Sequence, residues 1–130
     1  MQQTEKPSTK PWVLVVDDDF GGRNLNAFIL SKANFESVSC ASVQEALNAY
    51  EAEPEKFSLI ITDLRMPGQD GEDLAKQIRE KDPDLPIILI TGTTFTVKNE
   101  ALFTKIIKKP FNKKDFLDCV TSLVRTADSS

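Results

Sequence analysis

The chain has 130 residues, of which 40% are hydrophobic and 28% charged, with five glycines and seven prolines. That composition suits one ordinary globular domain and excludes a collagen-like, low-complexity or disordered chain. A formal charge of −4 and a pI near 4.9 exclude a broad basic field able to hold nucleic acid or an anionic membrane surface.

Residues 1–10, MQQTEKPSTK, read as a flexible polar tail without the apolar core of a secretory signal. No later run approaches the ~18 apolar residues of a membrane span. The expected setting is the reducing cytoplasm, with no membrane contact. Cys40 and Cys119 lie far apart without metal-type spacing, and the chain has no histidine to complete a zinc or catalytic cluster, so both read as buried reduced thiols.

Apolar runs then alternate with amphipathic stretches. Strands are expected at Val13 to Val16, Phe35 to Cys40, Phe57 to Thr62, Pro86 to Thr91 and Lys105 to Lys108, and several are too continuously apolar for a half-exposed strand. In the first gap Leu25, Phe28, Ile29 and Lys32 to Ala33 trace a helical stripe. Ser42 and Glu45 give an S-x-x-E cap for a second helix carrying Val43, Ala46, Leu47 and Tyr50. Gly71 to Glu80 gives a third helix with Leu74, Ala75 and Ile78 on one face, stopped at Asp82-Pro83. The gap from Thr93 to Thr104 is weak, with Val97, Ala101, Leu102 and Phe103 as its candidate core. Phe116, Val120, Leu123 and Val124 mark a last helix opened by Asn112. Five β-α repeats with right-handed crossovers predict an α/β fold, a doubly wound five-stranded parallel sheet. The domain spans 11–126, and 127–130 reads as a tail or linker.

Doubly wound sheets bind ligands beyond the carboxyl ends of their strands. Asp17, Asp18 and Asp19 follow the first strand, Asp63 the third, Thr91 ends the fourth, and the fifth runs into Lys109-Pro110. Carboxylates converging on one edge raise one another's pKa unless a cation intervenes. Magnesium suits best, because it takes one or two protein carboxylates and keeps waters for a phosphate-bearing partner. Beside such an ion an aspartate can attack phosphorus, and a lysine and a threonine can bind phosphoryl oxygens. Asp63 is the best-placed nucleophile, because the loop LRMPG after it leaves the strand end open to solvent.

In this order, VLVVDDDF with Arg23 downstream, IITDLRMPGQDG, ILITG and KKPF resemble the receiver domain of two-component response regulators, over about Pro11 to Arg125. The resemblance implies a flavodoxin-like sheet of order 2-1-3-4-5. It implies Asp63 as phosphoacceptor, Asp17 and Asp18 as the magnesium pair, a further ligand from the Arg65 backbone carbonyl, Thr91 and Lys109 as the phosphoryl-binding hydroxyl and ammonium, and a cis peptide before Pro110. It also implies a histidine kinase or phosphotransfer protein as donor and no catalysis beyond transfer to its own aspartate; the acidic charge argues for no direct nucleic-acid binding, and Ile106, which cannot act as an aromatic switch, for output through the loop after Thr91 or through a homodimer surface.

Two departures qualify the resemblance. Thr91 and Lys109 are 18 positions apart (109 − 91), roughly a helical turn short, so a short or missing fourth helix is expected. Ile106 stands where the family usually carries a switching aromatic. Two other readings stay open. One is an interaction module that works without phosphorylation. The other is an aspartate-nucleophile phosphatase, with Asp17 as nucleophile and Asp19 as general acid, against which stand Gly21, the lack of a later acidic pair and the lack of sequence for a substrate-selecting cap. Asp19 otherwise reads as the cap of the first helix.

Overall fold

The computed structural model describes residues 10–92 and 97–124. The expected tails at 1–10 and 127–130 lie outside those residues, except Lys10. The elements are β1 (Trp12–Val16), α1 (Phe20–Lys32), β2 (Glu36–Cys40), α2 (Val43–Ala52), β3 (Phe57–Asp63), α3 (Gly71–Lys81), β4 (Ile87–Gly92), a 3-10 turn (Glu100–Leu102), β5 (Lys105–Lys109) and α4 (Lys113–Leu123). All strand pairs are parallel, in the order β2-β1-β3-β4-β5.

Alternate residues of the central strands feed two cores, because successive side chains leave a strand on opposite faces. Leu14, Val16, Ile60, Ile87 and Leu89 pack with Val43, Leu47 and Tyr50 of α2 and with Leu74 and Ile78 of α3. Val13, Val15, Ile61, Ile88 and Ile90 pack with Ile29 and Leu30 of α1 and with Phe116 and Val120 of α4. Both faces of the sheet are covered, which explains the uninterrupted apolar runs.

Helix starts follow their caps. Ser42 accepts from the Glu45 N–H, and Asn112 from the Asp115 N–H. Asp70 and Asp73 form a reciprocal capping box at α3. Helix α1 ends where Asn34 takes a φ of 69° and the Phe35 N–H returns to the Leu30 carbonyl.

Three expectations are corrected. Leu25 and Phe28 are not core residues: they are 58% and 59% exposed, and the buried side of α1 is Asn26, Ile29 and Leu30. Apolar residues occur on both arcs of this helix, and the Asp19 cap with the bond from Arg23 to the Asp17 carbonyl fixes which arc meets the sheet. Ala101 is exposed, whereas Phe103 is buried and Val97 and Leu102 pack beside it. Val124 lies beyond the end of α4, as its extended C-cap residue. The expected shortening is present: among the described residues the return from β4 to β5 holds only the 3-10 turn. Cys40 is buried, and burial pushes its thiol up to about 11; Cys119 is half-buried, and burial raises its thiol too.

Candidate functional site

Sheet register gathers the strand ends. Val16 pairs with Thr62, Asp63 with Ile90, and Gly92 with Lys109, so Asp17, Asp63, Thr91 and Lys109 reach one edge from four strands. At that edge Asp17, Asp18 and Asp63 each offer a carboxylate oxygen within 4.8 Å of the others.

The three aspartates after β1 differ. Asp17 is buried, and its Oδ1 accepts the Asp19 N–H at 2.9 Å. Its carboxyl is raised above the ordinary 3.8, first by burial and then by the Asp63 charge, against the lowering pull of the Asp19 N–H and Lys109. Asp18 is exposed. Asp19 caps α1 through the Gly22 N–H at 2.8 Å, which commits its carboxylate to the helix.

Asp63 keeps both oxygens engaged: Oδ1 accepts the Leu64 N–H at 3.1 Å, and Oδ2 lies 3.3 Å from the Lys109 ammonium. Thr91 is buried, with its hydroxyl donating to the Gly92 carbonyl at 3.3 Å. Asp63, Leu64, Arg65, Thr91, Gly92 and Lys109 line a cleft of about 250 Å³. A neighbouring cleft of about 290 Å³ is bounded by Asp18, Arg65, Met66 and Pro67. The Lys109-Pro110 peptide is cis.

The loop between β3 and α3 depends on its glycines. Gly68 adopts a φ of +80°, which disfavours any side chain. At Gly71 a Cβ would stand 2.5 Å from the Asp63 carbonyl oxygen. The helix can approach the strand end that closely only without a side chain there.

A hard divalent cation fits this donor set. Three carboxylates offer oxygens within 4.8 Å of one another, one of them from the buried Asp17, which is a hard oxygen donor set of the kind such an ion takes. The residues singled out in the sequence thus come together, apart from Asp19. Sequence reading missed Glu72, whose carboxylate is nearly buried and accepts the Lys98 and Asn99 N–H groups at 2.6 and 2.9 Å. A glutamate in the first turn of a helix looks like ordinary dipole compensation, and nothing local shows that its partners lie 26 residues away.

Comparison with known proteins bears on the family and the fold. The response regulator receiver domain family matches residues 13–121. The response regulator receiver protein CpdR of Brucella abortus is 31% identical over 119 residues, covering 88% of this chain and 98% of that protein. The C4-dicarboxylate transport transcriptional regulatory protein DctD of Rhizobium meliloti is 42% identical over 85 residues, and the match covers 65% of this chain but only 18% of DctD. Among solved structures, the response regulator protein TrrA of Thermotoga maritima in complex with Mg2+ and BeF is 28% identical, with a TM-score of 0.79 over 88% of this chain and 99% of that one.

Proposed function

The chain belongs to the family of response regulator receiver domains, and on that premise we propose that Asp63 accepts a phosphoryl group from a histidine kinase or phosphotransfer protein in a magnesium-dependent reaction. The observation that carries the assignment is the Asp63 carboxylate itself. It shares a 4.8 Å cluster with Asp17 and Asp18 and meets the Lys109 ammonium at 3.3 Å. Asp17, Asp18, Asp63 and the Arg65 carbonyl would hold magnesium. Bound there, the ion supplies charge screening for an incoming phosphoryl group.

In the transfer, an Asp63 oxygen forms the new bond to phosphorus. The phosphorus–nitrogen bond of the donor phosphohistidine breaks, and its electron pair stays on the departing imidazole. Lys109 binds one phosphoryl oxygen, and the Thr91 hydroxyl turns from the Gly92 carbonyl to another. No separate substrate is turned over. Water later returns the domain to its resting state by hydrolysing the acyl phosphate.

The reading of a protein donor is supported by α1. Phe20, Leu25 and Phe28 are 68%, 58% and 59% exposed, and Phe20 stands one residue beyond the capping Asp19. Apolar side chains left in water beside a reactive edge suit a partner that must bring its phosphoryl group to that edge. The free thiols and the formal charge of −4 favour a cytoplasmic signalling protein that does not itself bind nucleic acid.

Mass spectrometry after incubation with a small acyl phosphate and magnesium tests the assignment. Wild type should gain one phosphoryl group and Asp63→Asn none. No gain in wild type would favour the phosphorylation-independent module, and a gain at Asp17 would favour the phosphatase reading. Phe28→Ala should slow transfer from a kinase while leaving transfer from the small donor unchanged.

A further inference from the structure

We propose that Glu72 and Arg79 of α3 form a two-point clamp on the chain between β4 and β5, and that release at Glu72 is the step by which phosphorylation of Asp63 changes this domain's surface. The inference rests on the phosphoacceptor reading above.

The clamp stands where a fourth helix would otherwise cover the sheet. Glu72 accepts the N–H groups of Lys98 and Asn99 at one end. At the other, Arg79 donates through Nε to the Leu102 carbonyl at 3.0 Å. The two residues are seven apart (79 − 72), two turns on one helix face, so the segment lies along α3. Val97, Leu102 and Phe103, at or next to these points, join the core. A carboxylate leaves water only when charge-assisted bonds offset its desolvation, and Glu72 does so with two N–H groups from one distant segment.

The two ends are not equally held. Arg79 also donates to the Leu85 carbonyl at 2.7 Å and the Asp82 carbonyl at 3.3 Å. Next to it the Thr104 N–H bonds to the Ile87 carbonyl at 2.8 Å, and the Thr104 hydroxyl accepts the Ile87 N–H at 3.0 Å. That end is fixed to β4. At the other end Lys98, Asn99 and Glu100 are exposed, Val97 is half-buried, and among the described residues Lys98 and Asn99 are tied to α3 by their N–H groups to a single Glu72 oxygen. The Glu72 end is therefore the one that can let go.

Both sides of that end lead to the site. Glu72 follows Gly71, which rests against the Asp63 carbonyl and donates its N–H to the Leu64 carbonyl. Val97 follows Gly92 by five residues in the sequence (97 − 92), so the clamped residues stand close along the chain to Thr91. Glu72 and Lys98 also border a cleft of about 370 Å³ with Leu64, Arg65 and Met66, which leaves room for the segment to move. Ile106 on β5 packs against the same core and has no ring to swing. The bistable element is then the Glu72 contact.

Amide hydrogen exchange read by NMR, with and without a small acyl phosphate and magnesium, tests the clamp. In wild type the Lys98 and Asn99 amides should lose protection on phosphorylation, while Phe103 and Thr104 keep theirs. Glu72→Ala should expose those two amides in both states and take up the phosphoryl group at least about five-fold faster, because the clamp no longer holds the resting state. Glu72→Gln keeps an acceptor of the same shape and should fall between them, which preserves the test if the alanine variant folds poorly. Retained protection at Lys98 and Asn99 in wild type that has gained the phosphoryl group would overturn the clamp alone. So would an unchanged uptake rate in both variants. Failure of wild type to gain the group at all would instead overturn the phosphoacceptor reading, and the clamp with it.

Discussion

The third and fourth crossovers leave the same edge of the sheet and are built in opposite ways. The third runs from Asp63 through a glycine-bearing loop into α3, an eleven-residue helix with a reciprocal capping box. The fourth, among the described residues, holds one 3-10 turn whose N-cap residue, Asn99, makes no side-chain cap. Yet Thr91 and Lys109, which flank the reduced crossover, still line one cleft with Asp63. Reactive groups seated at strand ends are positioned by sheet register and not by the helices that return the chain. The chemistry can stay fixed while the covering layer changes, and here the segment before β5 packs Val97, Leu102 and Phe103 on the core while Glu72 and Arg79 of the neighbouring helix hold its backbone.

The sharpest way to break that contrast is at the metal-binding edge. Asp18→Asn should lower magnesium affinity by about 100-fold or more, since it removes an exposed carboxylate with no other structural bond among those described. Isothermal titration with magnesium chloride checks this. Affinity within a few-fold of wild type would mean that Asp17 and Asp63 suffice and that Asp18 is only a solvated loop acid.

Gly71→Ala probes the third crossover where it touches the site. Its Cβ would meet a backbone oxygen that cannot rotate away, so α3 must shift. A loss of about 2 kcal/mol in urea unfolding is expected, with slower phosphorylation because Asp63 moves too. A variant as stable as wild type would show that α3 tolerates displacement as freely as the segment after β4.

The electrostatic cost of the edge gives a smaller effect of opposite sign. The Asp17 carboxyl is raised in the folded protein, so it favours folding when protonated, and that contribution is lost as pH climbs from the unfolded 3.8 through the raised folded value. At neutral pH without magnesium the ionised group is a burden. Asp17→Asn, which can still accept the Asp19 N–H through Oδ1, should melt about 3–5 °C above wild type there. The difference should fade as the pH falls below 3.8 and reverse when magnesium is added, as thermal melts in chelator and in magnesium would show.

How much of this was legible in the sequence follows the same division. Asp17, Asp18, Asp63, Thr91 and Lys109 could be read because each ends an apolar run, and a parallel sheet brings such ends together. The shortened crossover could be read from the 18 positions between Thr91 and Lys109. The phase of α1 could not: Leu25 and Phe28 make as good an apolar stripe as Ile29 and Leu30, and only the Asp19 cap against the folded strand end decides between them. Nor could Glu72 and Arg79, whose bonds reach backbone groups 23 to 27 residues away. Backbone N–H and C=O groups leave no mark in a sequence, so a side chain that serves them looks like any surface charge.

The smallest predicted difference bears most directly on why one crossover kept its helix. Asp70 accepts the Asp73 N–H at 3.0 Å and its own N–H is taken by Asp73 at 2.9 Å, so Asp70→Ala removes a cap from groups that α3 cannot satisfy internally. It should cost about 1 kcal/mol. Asn99→Ala should stay within about 0.5 kcal/mol of wild type, because the Asn99 side chain caps nothing and its N–H, which Glu72 uses, survives the change. Parallel urea titrations decide the matter. Equal losses would mean that Asn99 orders the fourth crossover by itself, and the segment would then be a shortened helix in its own right and not a strap held from α3.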